Sequence, residues 1–355
     1  MIKKLRAEWR PFALALVIGA IGGYAFQLLA LPLPWMLGPM AATTAAALIG
    51  VTLKVPSWAR DTMLPIVAVM LGSTFEPAWF QRMDEFAVSL PLVLLNSLFL
   101  AVLAMLYLRR TYDLPTTYFA GVPGAITQVV VLGPQRGGNP RAISTIQGVR
   151  VLIVVAAIPL IVGIGMADQV GQPKPMSWAL PPVDIAIMLV SAVVGVWVGR
   201  KLKFPTPIMT GPIFVSAILH LTSITDTKVP DLIMIAAQLV IGASIGGRFA
   251  GSSTKELARD LKQAVTLTGI SFAGTFAMSV LLARVSGLDL AVCLLAMTPG
   301  GLGEMTLVAL ALDVDPSFVA THHVIRVTLL YFIVPIAYDR WLAHRAKPQD
   351  PTPPG

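Results

Sequence analysis

The chain has one cysteine, Cys293, and four histidines in 355 residues. A single thiol excludes an internal disulfide and a thiolate metal cluster. His220, His322, His323 and His344 fall in no spacing that builds a zinc or copper site. A phosphate-binding glycine loop and a nucleophile elbow are not recognised either, so enzymatic signals are weak and no cofactor is implied. Charge is scarce too. Only 12% of residues are charged and 56% are hydrophobic, which excludes an ordinary soluble domain and fits a polytopic membrane protein. The formal net charge of +8 does not indicate a nucleic-acid partner, because the basic residues sit in short loops between apolar runs.

What the sequence has instead is twelve apolar runs, near 11–30, 35–53, 62–78, 86–108, 115–134, 142–166, 183–199, 207–223, 231–247, 263–283, 288–312 and 317–338. Met-Ile-Lys-Lys-Leu-Arg ahead of the first run resembles a signal peptide. The run at 11–30 is nevertheless expected to be retained, because 183–199 is its counterpart and both carry a Gly-xxx-Gly spacing (Gly19/Gly23 and Gly195/Gly199). The Pro-rich end at 347–355 predicts disorder.

The chain is duplicated. A shift of 176 residues carries Pro123, Gly124, Pro140, Arg150 and Pro159 onto Pro299, Gly300, Pro316, Arg326 and Pro335. Pro34-Trp-Met-Leu-Gly-Pro39 matches Pro207-Ile-Met-Thr-Gly-Pro212, and Leu71-Gly-Ser-Thr-Phe75 matches Ile241-Gly-Ala-Ser-Ile245. A repeat this long indicates a duplicated membrane fold, not a solenoid. The expected organisation is a first repeat at 1–166, a polar external linker at 167–182, a second repeat at 183–338 and a cytoplasmic tail at 339–355.

Loop charge sets the topology. If the Pro-Gly segments at 115–134 and 288–312 enter and leave on one side, twenty Lys and Arg are cytoplasmic and four are external. If both segments span, the split becomes fourteen against ten. The re-entrant arrangement predicts an all-α protein of about ten transmembrane helices with both termini inside. Five spans per repeat is odd, so the repeats are inverted. Each contains a re-entrant Pro-Gly hairpin or broken helix. A ten-residue arm reaches about 15 Å, which is the midplane of a core about 30 Å thick. Irregular backbone at that depth must be buried in protein or line a wet cavity, so the two tips should meet near the centre.

The tips collect the residues that carry chemistry. Arg150 and Arg326 are intramembrane charges, which usually mark function. Gln128 and Glu304 sit five residues after the tip prolines, and Glu304 is the only acid well inside an apolar run. The predicted substrate-binding set is Pro123, Gly124, Thr127, Gln128, Arg150, Pro299, Gly300, Gly301 and Arg326. Helix arms starting at the tips add free N–H groups and a positive dipole end, which favours an anion. Glu304 opposes an anion unless it is protonated or paired, so it is the candidate proton carrier. His323, which matches Gln147, is a candidate relay, with a packing role as the alternative. The plainer reading of the arginines is that they cap carbonyls freed at the tips, with Glu304 as counter-ion. Asn96 reads as packing glue. The Gly-xxx-Gly pairs fit close helix packing or a homodimer.

Pro34-Trp-Met-Leu-Gly-Pro39, its echo at 207–212, and Thr298-Pro-Gly-Gly-Leu-Gly-Glu-Met305 resemble the bacterial AbrB-type membrane family across nearly the whole chain. The family is labelled "putative ammonia monooxygenase" or "regulator of aidB expression", and it is distinct from the soluble DNA-binding regulator of the same name. The monooxygenase label finds no metal-ligand set in this sequence. The leading expectation is a proton-coupled secondary transporter of a small organic anion, placed in the bacterial inner membrane, with the lipid bilayer and protons as its other partners. The alternatives are a membrane regulator of gene expression acting through a ligand or partner and, more weakly, a membrane monooxygenase.

Overall fold

A computed structural model describes residues 2–29, 31, 33–124, 126–165, 181–247 and 254–345. The side chains of 2–8, 78, 82, 126, 127, 254–257 and 342–345 are outside that description. The expected linker at 167–182 and tail at 339–355 therefore lie largely outside the described residues.

The described chain is helical. The helices are α1 (Ile2–Leu28), α2 (Pro34–Leu48), α3 (Ser57–Gly72), α4 (Met83–Leu108), α5 (Leu114–Gly121), α6 (Ile126–Gln135), α7 (Pro140–Gly165), α8 (Pro182–Lys201), α9 (Pro207–Leu221), α10 (Asp231–Gly246), α11 (Thr254–Ser286), α12 (Leu290–Met297), α13 (Leu302–Ala311) and α14 (Pro316–Arg345). A 3-10 turn, Pro77–Arg82, lies between α3 and α4. Six segments, within α1, α4, α7, α8, α11 and α14, are long and apolar enough to cross a membrane. That is the pattern of a polytopic membrane protein. Helices α2, α3, α9 and α10 have 15 or 16 residues. At about 1.5 Å per residue they are shorter than a hydrocarbon core about 30 Å thick. The apolar runs at 115–134 and 288–312 are each split into an eight-residue and a ten-residue helix.

Glycine sets the closest helix contacts. Helix α1 packs on α2, and α8 packs on α9. A methyl group added at Gly38 would strike the Gly22 carbonyl, and one at Gly211 would strike the Gly195 carbonyl. Gly19 and Gly23 pack on Pro39 and Trp35, and Gly199 packs on Pro207. The Gly-xxx-Gly pairs are thus taken up inside one chain, where small residues let helix backbones approach. Helices α2 and α9 also begin alike. Leu33 and Thr206 take left-handed backbone at φ 49° and 47°, and a proline opens each helix.

The inner layer repeats the same pairings. Helix α2 packs on α10 and α3 on α9, α5 and α6 pack on α7, and α12 and α13 pack on α14. Helix α11 packs on both α4 and α7. At the start of α11 the buried carboxylate of Asp260 accepts a hydrogen bond from the Tyr112 hydroxyl at 2.6 Å and is paired with Arg141 at 3.4 Å. Burial, with the Asp260 hydrogen bond adding to it, raises the Tyr112 pKa. These contacts tie the start of α11 to the turn after α4 and the start of α7.

Candidate functional site

The site begins with prolines. A proline has no N–H, so the carbonyl four residues before it loses its helical donor. Pro123 does this to Phe119, and Pro299 does it to Leu295. The last turns of α5 and α12 close with Val122 N–H on the Tyr118 carbonyl (3.1 Å) and Thr298 N–H on the Leu294 carbonyl (3.0 Å). Side chains from the following long helix supply the missing donors. Gln147 Nε2 on α7 donates to the carbonyls of Phe119 (2.9 Å), Ala120 (3.2 Å) and Val122 (3.0 Å). His323 Nε2 on α14 donates to the Leu295 carbonyl at 3.0 Å.

One helical turn further along, the arginines continue the same task. Arg150 donates to the carbonyls of Gly121 (3.5 Å) and Val122 (3.3 Å) and to Gln147 Oε1. Arg326 donates to Met297 (3.4 Å), Thr298 (2.9 Å) and Gly300 (3.3 Å), and to His323 Nδ1 at 2.9 Å. Both arginines are essentially buried, at 2% and 1% exposure. Both leave Nε without a partner. Neither has an acidic partner among the described residues. The His323 ring is held by both nitrogens. With Nε2 donating and Nδ1 accepting from Arg326, the neutral imidazole fits, and Nδ1 has no room for a proton in this arrangement.

The tip glycines differ. Gly124 uses positive φ, at 98°, and faces Leu330 on α14 at 3.2 Å from where a Cβ would stand. Gly300 instead makes a tight turn, its N–H on the Thr298 carbonyl at 2.9 Å. Pro123 and Gly124 are buried, as are Pro299 and Gly300. Thr127 lies on α6, with its side chain outside the described residues.

Gln128 and Glu304 are each the third residue of the helix that leaves the tip. Their side chains go different ways. Gln128 Nε2 donates to the Tyr331 carbonyl on α14 at 2.6 Å, and its Oε1 is buried without a partner. Pro335, four residues past Tyr331, explains why that carbonyl is open. Half-buried Glu304 folds back over its own helix start, where a Cβ on Gly301 would overlap its carboxylate. Glu304 makes no hydrogen bond or ion pair among the described residues. The expected counter-ion pairing of Glu304 with an arginine is therefore not made, because each guanidinium is turned toward the carbonyls of its own hairpin. No side chain caps Gly301, so the α13 start has the Glu304 carboxylate as its nearby anion.

Two residues outside the predicted set belong to the site. Gln147 holds the first tip as His323 holds the second. Asn96 on α4 donates to the Met297 carbonyl at 3.1 Å, so its polarity serves the second tip. The signal for Gln147 was its register with His323. Elsewhere, the spacing Gly242-Ala-Ser-Ile-Gly246 falls inside α10, not on a strand-to-helix turn. Among the described residues no group of three or more His, Cys, Asp or Glu converges.

A family model described as "Transition state regulatory protein AbrB" matches residues 35–342, and the chain belongs to that family. Among its relatives, "Uncharacterized protein YhjN" of Bacillus subtilis (strain 168) is 26% identical, with 93% of this chain and 92% of the relative covered. "Putative regulator AbrB" of Escherichia coli (strain K12) is 25% identical, with 90% and 92% covered.

Proposed function

We propose that this AbrB-family member is a secondary transporter of a small organic anion, coupled to protons, with its site between the tips of two inverted halves. One observation carries the reading. Arg150 and Arg326 are buried and lack an acidic partner among the described residues. Carbonyl acceptors hold a guanidinium in place without neutralising it. Uncompensated charge away from water is costly, and an anion between the tips relieves that cost. Each unpartnered Nε offers the anion one more donor. The starts of α6 and α13 add N–H groups and dipole, beside Gln128 and Gly301.

In this reading Glu304 is the proton carrier. Its carboxylate sits where a substrate carboxylate would sit, so protonation and substrate binding favour each other. In this reading the four short helices α2, α3, α9 and α10 also count as spans beside the six long ones, and the loop charges then favour the bacterial inner membrane with ten spans and both termini cytoplasmic. The protein is not an enzyme in this reading and uses no cofactor. A homodimer would need a surface other than the glycine pairs.

The printed names of the family and of the Escherichia coli relative favour a second reading, an integral membrane regulator acting through a ligand or protein partner. Proteoliposomes separate the two. Uptake of small mono- and dicarboxylates driven by an imposed pH gradient supports transport. Saturable binding of such an anion without flux supports the regulator. The substrate itself is best sought by comparing the metabolites retained by cells with and without the protein.

A further inference from the structure

Four prolines recur around the tips, and each leaves a carbonyl without a backbone donor four residues earlier. Three of these carbonyls have side-chain donors. Gln147 serves Phe119, left open by Pro123, and His323 serves Leu295, left open by Pro299. Gln128 serves Tyr331, left open by Pro335. The fourth is the Val155 carbonyl on α7, left open by Pro159. Val155 is fully buried, and no side chain among the described residues donates to it. An open buried carbonyl is costly to leave unpaired.

The pattern names its donor. Gln128 and Tyr331 lie 176 residues from Glu304 and Val155 in opposite senses, and Pro335 lies 176 from Pro159. Helix α13, which carries Glu304, packs on α7, which carries Val155. A carboxylate cannot donate, whereas a carboxylic acid can. We infer that Glu304 bonds the Val155 carbonyl when protonated and lets it go when ionised. Once released, the side chain lies back over Gly301, where its carboxyl group stands in this structure. The inference rests on the proton-coupled reading and adds where the proton is held. It makes Glu304 a latch between α13 and α7, in the place where Gln128 is a permanent tie between α6 and α14.

The charged and titratable groups on the helices packed against α13 are few. Near Glu304, helix α14 carries His322, His323, Arg326 and Tyr331, α7 carries Arg150, and α12 carries Cys293. Further off, α7 carries Arg141 at its start, and α14 ends with Tyr338, Asp339 (paired with Arg136), Arg340, His344 and Arg345. On α3, Arg60 and Asp61 pair with each other, two turns before Val67, the α3 residue that Gly303 meets. None of these is an acid able to share the proton with Glu304 at the tip.

A double-mutant cycle on the full chain in detergent tests the latch. Glutamine at 304 donates at every pH, and Pro159→Ala gives α7 back the N–H that consumes the Val155 carbonyl. Glu304→Gln should raise the unfolding midpoint by about 2–4 °C at about pH 8, and by less at about pH 5, where the native acid also donates. In the Pro159→Ala background the gain should vanish. An equal gain in both backgrounds, or no gain at either pH, overturns the inference. If Pro159→Ala does not fold, the infrared carbonyl stretch of the Glu304 acid decides, identified by its loss in Glu304→Gln. A hydrogen-bonded acid supports the latch, and a free acid overturns it. No readout needs a substrate, so failure here and failure of the transport reading are told apart.

Discussion

His323 and Gln147 do the same job 176 residues apart. Each accepts a hydrogen bond from the arginine three residues later and donates to the carbonyl that a tip proline leaves open. An imidazole and a carboxamide both offer a donor and an acceptor at the reach this job needs, the carboxamide with a second N–H to spare.

His323→Gln should therefore fold and keep its stability to within about 1.5 kcal/mol, whereas Gln147→His, with one N–H in place of two, should lose about 1 kcal/mol or more. His323→Ala should cost about 1–3 kcal/mol, because it strands the Leu295 carbonyl and one bond of Arg326. Thermal unfolding in detergent checks all three. A His323→Gln chain as unstable as His323→Ala would show that the two residues are not interchangeable.

Arg326→Ala leaves three carbonyls at the second tip without their guanidinium donor. We expect a loss of about 3–5 kcal/mol, as for breaking one side of a buried charged network. Arg326→Lys keeps the charge but loses the planar fork. It should lie between the native chain and Arg326→Ala in stability and keep measurable anion affinity. Anion affinity unchanged in Arg326→Ala would reduce the arginine to a cap.

Gly38→Ala and Gly211→Ala drive a methyl group into a backbone carbonyl of the neighbouring helix, and backbone cannot turn aside. Each should destabilise by about 1–3 kcal/mol or more. Gly301→Ala meets only the flexible end of Glu304, so it should fold and displace that carboxylate. Melting curves compare the three. Gly211→Ala as stable as Gly301→Ala would contradict the close packing of α8 on α9.

The topology has its own test. In a Cys293→Ser background, single cysteines at 136–141 and 200–206 should be labelled from the cytoplasm, and those at 313–316 from outside. External labelling at 136–141 and 200–206 would defeat the inverted arrangement.

Much of this is legible in the sequence alone. The offset that pairs Arg150 with Arg326 also pairs the residues around them, and the Pro-Gly breaks split helices where the sequence places them. Helix ends followed the apolar runs to within a few residues in α7, α8, α9 and α10. Helices α11 and α14 run further, because charged residues such as Lys262 and Arg340 continue a helix without being apolar. Less legible was where the polar side chains point. Arg326 and Glu304 attract on paper, but a fork of donors beside a broken helix end finds carbonyls first. The Tyr331 acceptor for Gln128 was in reach, since Pro335 announces it four residues ahead. Asn96 gave no such warning, because its partner lies 201 residues away on the second tip.

The central claim is that Glu304 carries the proton that drives anion uptake. The most direct measurement is anion flux in proteoliposomes containing Glu304→Gln, with and without an imposed pH gradient. Glutamine fixes the protonated form, so the loaded carrier should still exchange anion across the membrane, while uphill accumulation driven by the gradient should be lost. Gradient-driven accumulation at the native level in Glu304→Gln would contradict the account.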